Sequence, residues 1–182
     1  MKKNSMIKLS VILLLGAAMI LPVTGMAQEE KTDKIKQDSE EAKGEFIKAD
    51  GLMQNLFAKS YGYVIFPNVG KGAIGVGGAA GNGIVYENGK MIGTAKMKQV
   101  SVGFQFGGQA YREVIFFENK AALDRFKEDK FEFAGQVSAV AAKAGASADA
   151  KYSDGVMVFT QEKGGLMYEA AVGGQKFSYT PL

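Results

Sequence analysis

The chain has no cysteine, no histidine and no tryptophan, and only three prolines in 182 residues. Without cysteine there is no disulfide, no thiol nucleophile and no lipid-modified N-terminal cysteine. Without histidine as well, the Ser-His-Asp arrangement and the usual zinc and copper sites are excluded. Any catalysis would rest on carboxylates, lysines, hydroxyls or tyrosines. The missing tryptophan removes the best platform for stacking on sugars. Net charge is also scarce. The formal +3 comes from Lys2, Lys3 and Lys8; beyond residue 27 the chain holds 19 basic and 19 acidic residues, a balance that argues against a nucleic-acid partner.

Those three lysines open a targeting segment. An apolar run from Leu9 to Val23 follows them, and Gly25-Met26-Ala27 offers small residues around a cleavage point. The expectation is a signal peptide over 1–27, cut after Ala27. An acidic, partly disordered or frayed helical segment is expected over 28–44, and a single domain over 45–182. Such a protein is exported, and is periplasmic, associated with the outer membrane, or secreted.

Glycine is abundant, with 24 in the chain, and it is concentrated where the rest of the sequence gives organisation. Tyr61 to Phe66 is a short aromatic and β-branched run that reads as a strand stopped by Pro67. Gly70, Gly72, Gly75, Gly77, Gly78, Gly81 and Gly83 then recur among Ala73, Ile74, Val76, Ala79 and Ala80. A flexible linker of this glycine content would be polar, so the stretch reads as packed, curved sheet. Gly70, Gly72 and Gly75 also spell G-x-G-x-x-G. A dinucleotide fold requires a helix there and an acid about 20 residues on. Here the chain runs instead into more glycines and a hairpin, and its first acid is Glu87 at that turn, so the nucleotide reading is set aside and no cofactor is expected.

Upstream, Ala42, Phe46, Ala49, Met53, Leu56 and Ser60 fall at alternating spacings of four and three, one stripe of a helix. Downstream, Ile84 to Ile92 reads as a hairpin around Asn88-Gly89, the preferred centre of a type I′ turn. Val100 to Phe106 and Tyr111 to Phe117 alternate as strands about a turn at Gly107-Gly108-Gln109. Asn119 caps a short helix with Leu123 and Phe126 facing inward. Phe131 to Ala150 has both strand alternation and helical alanine content, and strand is expected through about Lys143. VMVFT, LMYEAAV and KFSYT close the chain as further hairpin strands. The fold class is therefore α+β, mainly antiparallel β: a glycine-rich curved or barrel-like sheet with an N-terminal helix and one short helix.

YGYVIFPNVGKG, GVGGAAGNGIVYENGK, SVGFQFGGQAYREVIFFENKAALDRF and FEFAGQVSAV, taken in that order with a final glycine-rich hairpin region, resemble the SYLF domain family from about Phe57 to the C-terminus. The resemblance implies binding of anionic phospholipids or a membrane surface. It also implies a backbone framework at Gly75, Gly77, Gly78, Gly81, Gly83, Gly107 and Gly108. Lys59, Lys71, Lys96 and Lys98 are the candidate headgroup ligands, set against the simpler reading that edge lysines only solubilise strands. Two other functions compete: a structural or assembly role with another envelope protein as partner, and an enzyme using Glu113 and Glu118. Those two acids lie five apart and so face opposite sides of a strand.

Overall fold

The computed structural model describes residues 23–71, 78–100, 110–128, 139–163 and 174–182. Three helices, α1 (Val23–Ala49), α2 (Met53–Lys59) and α3 (Lys120–Lys127), accompany seven strands. These are β1 (Gly62–Lys71), β2 (Gly78–Glu87), β3 (Lys90–Val100), β4 (Ala110–Phe117), β5 (Val140–Ala141), β6 (Val156–Glu162) and β7 (Gln175–Pro181). They form one sheet in the order β5-β6-β4-β1-β2-β3-β7. Every pairing is antiparallel except β5 with β6.

The helical stripe is interrupted once. α1 and α2 are separate because the Asp50 side chain accepts hydrogen bonds from the Leu52 backbone N–H at 3.1 Å and from the Ser147 N–H and hydroxyl at 2.8 and 2.6 Å. The carboxylate thus caps the break and pins the 144–148 turn to it. Burial pushes the Asp50 carboxyl up, but these hydrogen bonds outweigh that and leave it below the usual range. Ala42, Phe46, Met53 and Phe57 are buried as the stripe requires, whereas Leu52, at the break, is 47% exposed.

Pro67 does not stop β1. Ile65 pairs with Ile84 and Asn68 with Asn82, so Phe66 and Pro67 together face the single residue Gly83. On the other edge Phe66 pairs with Glu113 and Val69 with Tyr111, so Pro67 and Asn68 face Arg112. This is a β-bulge, and a bulge is where a strand tolerates a residue without an N–H. Gly83 is its counterpart: a Cβ there would lie 2.5 Å from the Ile65 carbonyl oxygen and 2.8 Å from a Phe66 ring carbon. Gly93 is constrained in the same way by the Thr180 carbonyl oxygen and the Tyr179 ring. The Asn88-Gly89 turn has both residues at positive φ, 50° and 76°, as a type I′ turn requires.

The sheet separates two apolar clusters. On one face α1 and α2 set Phe46, Met53 and Phe57 against Tyr63, Ile65, Ile84, Tyr86, Val114, Phe116 and Phe159. Lys43 lies over the Phe57 and Tyr63 rings, 5.3 and 5.6 Å from their centroids, and Tyr86 donates to Glu40 at 3.0 Å. On the other face α3 brings Leu123 and Phe126 against Val64, Phe117 and Phe177. Asn119 caps α3, accepting from the Ala122 N–H at 3.0 Å. The sheet is strongly curled: Phe177 of β7 meets Phe66 of β1 across this inner face, with centroids 5.8 Å apart. It is not closed, since β5 and β7 are edges among the described residues.

The ambiguous segment is described from residue 139 on, and 131–138 lie outside the described residues; within 139–150 strand covers Val140–Ala141, beside β6, and the expected continuation to Lys143 gives way to turns. The side chains of Val140, Ala142, Ala150 and Tyr152 instead lean on the helix-covered cluster. The strands expected over 101–106 and 166–172, and the glycines Gly75, Gly77, Gly107 and Gly108, lie outside the described residues.

Candidate functional site

α1 packs over β1 and β2, and beside them the alternation of β3 and β7 decides what is presented. Ala95, Met97 and Gln99 of β3, and Gln175 and Phe177 of β7, are buried on the inner side. The residues between them, Lys96, Lys98, Lys176 and Ser178, are exposed on the outer side. Register turns these into two rows across the sheet. One runs Asn68, Asn82, Lys96, Ser178, and the next runs Gly70, Ala80, Lys98, Lys176.

Lys98 is directly opposite Lys176. Like charges in that relation repel across the sheet. Small neutral side chains in β1 and β2 beside them leave the lysine ends accessible. Among the described residues neither Lys96 nor Lys98 forms an ion pair; the salt bridges lie on α1, on α3 and between Arg125 and Asp154.

The polar strip continues toward α1. Arg112 of β4 pairs with Gln161 of β6 and donates to its side-chain oxygen at 3.4 Å. Lys163 donates to Asn68, whose amide in turn donates to Asp38 of α1 at 3.2 Å. Burial and the neighbouring Arg112 lower the Lys163 pKa, while Asp38 and Glu41 act against this. The acidic helix therefore balances the positive field at its own side, and the excess of positive charge lies over β3 and β7.

The structure brings together Lys96 and Lys98 of the four lysines expected to act. The Lys71 backbone pairs with Ala79, in the row of the buried Gln99 rather than in that of Lys98. Lys59 does not join them. It is exposed at the end of α2, just before Gly62, whereas Lys98 lies in the row of Gly70. Eight strand steps of about 3.3 Å separate those rows, roughly 26 Å. Lys176, Arg112 and Lys163 were not visible in the sequence as members of the site, because they arrive on strands remote in the chain. The signal available was the alternation of Lys176 and Ser178 about Phe177, the same pattern as Lys96 and Lys98 about Met97.

The two carboxylates of the enzyme reading do not meet. Glu113 is fully buried on the inner face, and Glu118 is exposed beyond the end of β4. Among the described residues there is also no cluster of three acidic, histidine or cysteine side chains suited to a metal, and no helix long and apolar enough to cross a membrane.

The architecture is thus a curled antiparallel sheet with one helix-packed face and with exposed lysines of β3 and β7 on the same side of the sheet. Comparison with known proteins gives the family. Residues 98–180 match the family described as "Ysc84: Las17-binding protein actin regulator", and the chain belongs to this SYLF family. It is also 33% identical over 124 residues to Beta cell expansion factor A of Aeromonas veronii, a match covering 67% of this chain and 47% of that protein. The chain thus spans about half the length of this curated relative.

Proposed function

We propose that the protein is a non-enzymatic binder of anionic phospholipid in the bacterial cell envelope, with Lys96, Lys98 and Lys176 as the headgroup contacts. The observation that carries this reading is the cross-strand pair Lys98 and Lys176 beside Lys96 on an exposed face. Each lysine near an anionic surface contributes on the order of 1 kcal/mol. Membership in the SYLF family supports a lipid-binding or actin-regulator type of domain, and the protein-partner alternative is another envelope protein docking on the same face.

Reversing Lys96, Lys98 and Lys176 to Glu is expected to weaken binding to anionic vesicles by at least roughly a hundredfold, from three contributions of about 1 kcal/mol each. Binding to neutral vesicles should not change, and the fold should survive because all three side chains are exposed. Wild-type binding should fall as salt rises, since the Debye length shrinks from about 30 Å at 0.01 M to about 8 Å at 0.15 M. Flotation assays showing undiminished binding by the triple variant would remove the lysine site. A wild-type protein that floats with no vesicle would favour the protein partner.

Export is part of the proposal. Cleavage after Ala27 would leave α1 as Gln28–Ala49, which keeps Ile35, Ala42, Phe46 and Ile47 of the helix-covered cluster. Protein recovered from the envelope is expected to have the intact mass of a chain beginning at Gln28. A mass including residues 1–27 would instead identify a membrane-anchored form.

A further inference from the structure

The inner face of the curl changes character along its length. Near α3 it is apolar, and at the other end it carries Gln99 of β3, Tyr111 and Glu113 of β4, Thr160 and Glu162 of β6, and Gln175 of β7. Glu113, Thr160 and Gln175 are all at most 1% exposed. Glu113 and Thr160 are direct cross-strand partners, and Glu162 leaves the same face of β6 one step further along, opposite Tyr111. The Gln175 amide donates to Glu113 Oε2 at 2.8 Å, and Tyr111 donates to Gln99 Oε1 at 3.4 Å.

Those bonds leave a remainder of one kind. Among the described residues, Glu113 Oε1, Thr160 Oγ1, Gln175 Oε1 and Glu162 Oε2 are buried without a hydrogen-bond partner. Buried polar atoms in native proteins are nearly always satisfied, and here the unsatisfied atoms are oxygens on three neighbouring elements. Two come from carboxylates and one from an amide carbonyl, all acceptors when the acids are ionised. The Thr160 hydroxyl can donate to only one of the other three. Carboxylate, amide and hydroxyl oxygens are instead the donor set of hard cations.

We propose that Glu113, Thr160 and Gln175, with the half-exposed Glu162 at the open side, form a binding site for a hard divalent cation, Ca2+ or Mg2+, inside the curl of the sheet. Two carboxylates match the double charge, and a single ion needs little more room than a water molecule. The ion would tie β7 to β4 and β6 across the inner face, where among the described residues the bond from Gln175 to Glu113 makes a connection. The site is independent of the outer lysines.

Chelator-treated protein titrated separately with CaCl2 and MgCl2 tests this by calorimetry and by thermal unfolding, against NaCl of equal ionic strength. One ion per chain and a raised unfolding midpoint are expected with at least one of the two salts, and the more effective salt identifies the ion. Glu113→Gln should weaken the binding at least tenfold, as should Thr160→Val, which keeps the side-chain shape. The Lys96, Lys98 and Lys176 reversal should leave it intact. Absence of binding with both salts in the wild type overturns the proposal, and so does unchanged affinity in Glu113→Gln. Should Glu113→Gln fail to unfold cooperatively, Thr160→Val decides, and wild-type affinity there overturns the proposal equally.

Discussion

In chelator at pH 7, Glu113→Gln should unfold at a higher temperature than the wild type. Glu113 has no exposed surface, and burial pushes its carboxyl from 4.5 up to about 8, opposed only by the hydrogen bond from Gln175. Below about pH 4.5 both folded and unfolded chains hold the proton, and this residue imposes no penalty. Between about 4.5 and 8 the unfolded chain releases a proton that the folded chain retains, so stability falls as pH rises, by about 1.4 kcal/mol per pH unit. Above about 8 the full loss has been taken. At pH 7 the difference is about 3 kcal/mol, equivalent to a midpoint shift on the order of 10 °C for a domain of this size.

Glutamine keeps the volume and an oxygen to accept from Gln175, and it has no proton to lose. Thermal unfolding from pH 5 to 8 should therefore show a falling midpoint in the wild type and a flatter profile in the variant. A variant with the wild-type slope, or one less stable at pH 7, would mean that Glu113 is solvated or paired when ionised. The same substitution carries opposite expectations in the two experiments: it raises stability in chelator and abolishes the gain from a divalent ion. A purely structural role for Glu113 does not produce that reversal.

What could be read from the sequence was what short-range chemistry decides. The Asn88-Gly89 turn and the Asn119 cap each depend on residues within a few positions, and both are as expected. The curl of an antiparallel sheet was legible from glycine among apolar residues, since curvature needs sites without a side chain. The helix break was not, because the four-three spacing runs through it unbroken. It is set by Ser147 reaching Asp50 from almost 100 residues away in the chain. Lys176 was missed for the same reason, as its place opposite Lys98 follows from the pairing of β3 with β7. Glu113 lies between Tyr111 and Ile115 on the inner face, which alternation indicates; its hydrogen bond from Gln175 depends on where β7 lies, which alternation does not.

Pro67 misled for a reason that yields a test. A proline removes a ladder donor and so reads as the end of a strand, but the bulge that accommodates it transfers the constraint to Gly83. Gly83→Val should therefore be more damaging than the same change at Gly81, where the nearest atom is at 3.1 Å, and should cost roughly 3–5 kcal/mol. Its Cβ would meet the Ile65 carbonyl at 2.5 Å, and behind that the Phe66 ring at 2.8 and 3.0 Å. Phe66 is fully buried and Ile65 is 1% exposed, so neither has room to yield. Gly70 supplies the control from β1, because a Cβ there meets nothing within 4 Å. Gly70→Ala should leave the midpoint within the few degrees that a loss of unfolded-state freedom can supply, about 1 kcal/mol at most. Denaturant titration of both variants beside the wild type separates the cases. If Gly83→Val unfolds at the wild-type midpoint, β1 and β2 do not approach as closely as the bulge requires, and the register across Pro67 must be different.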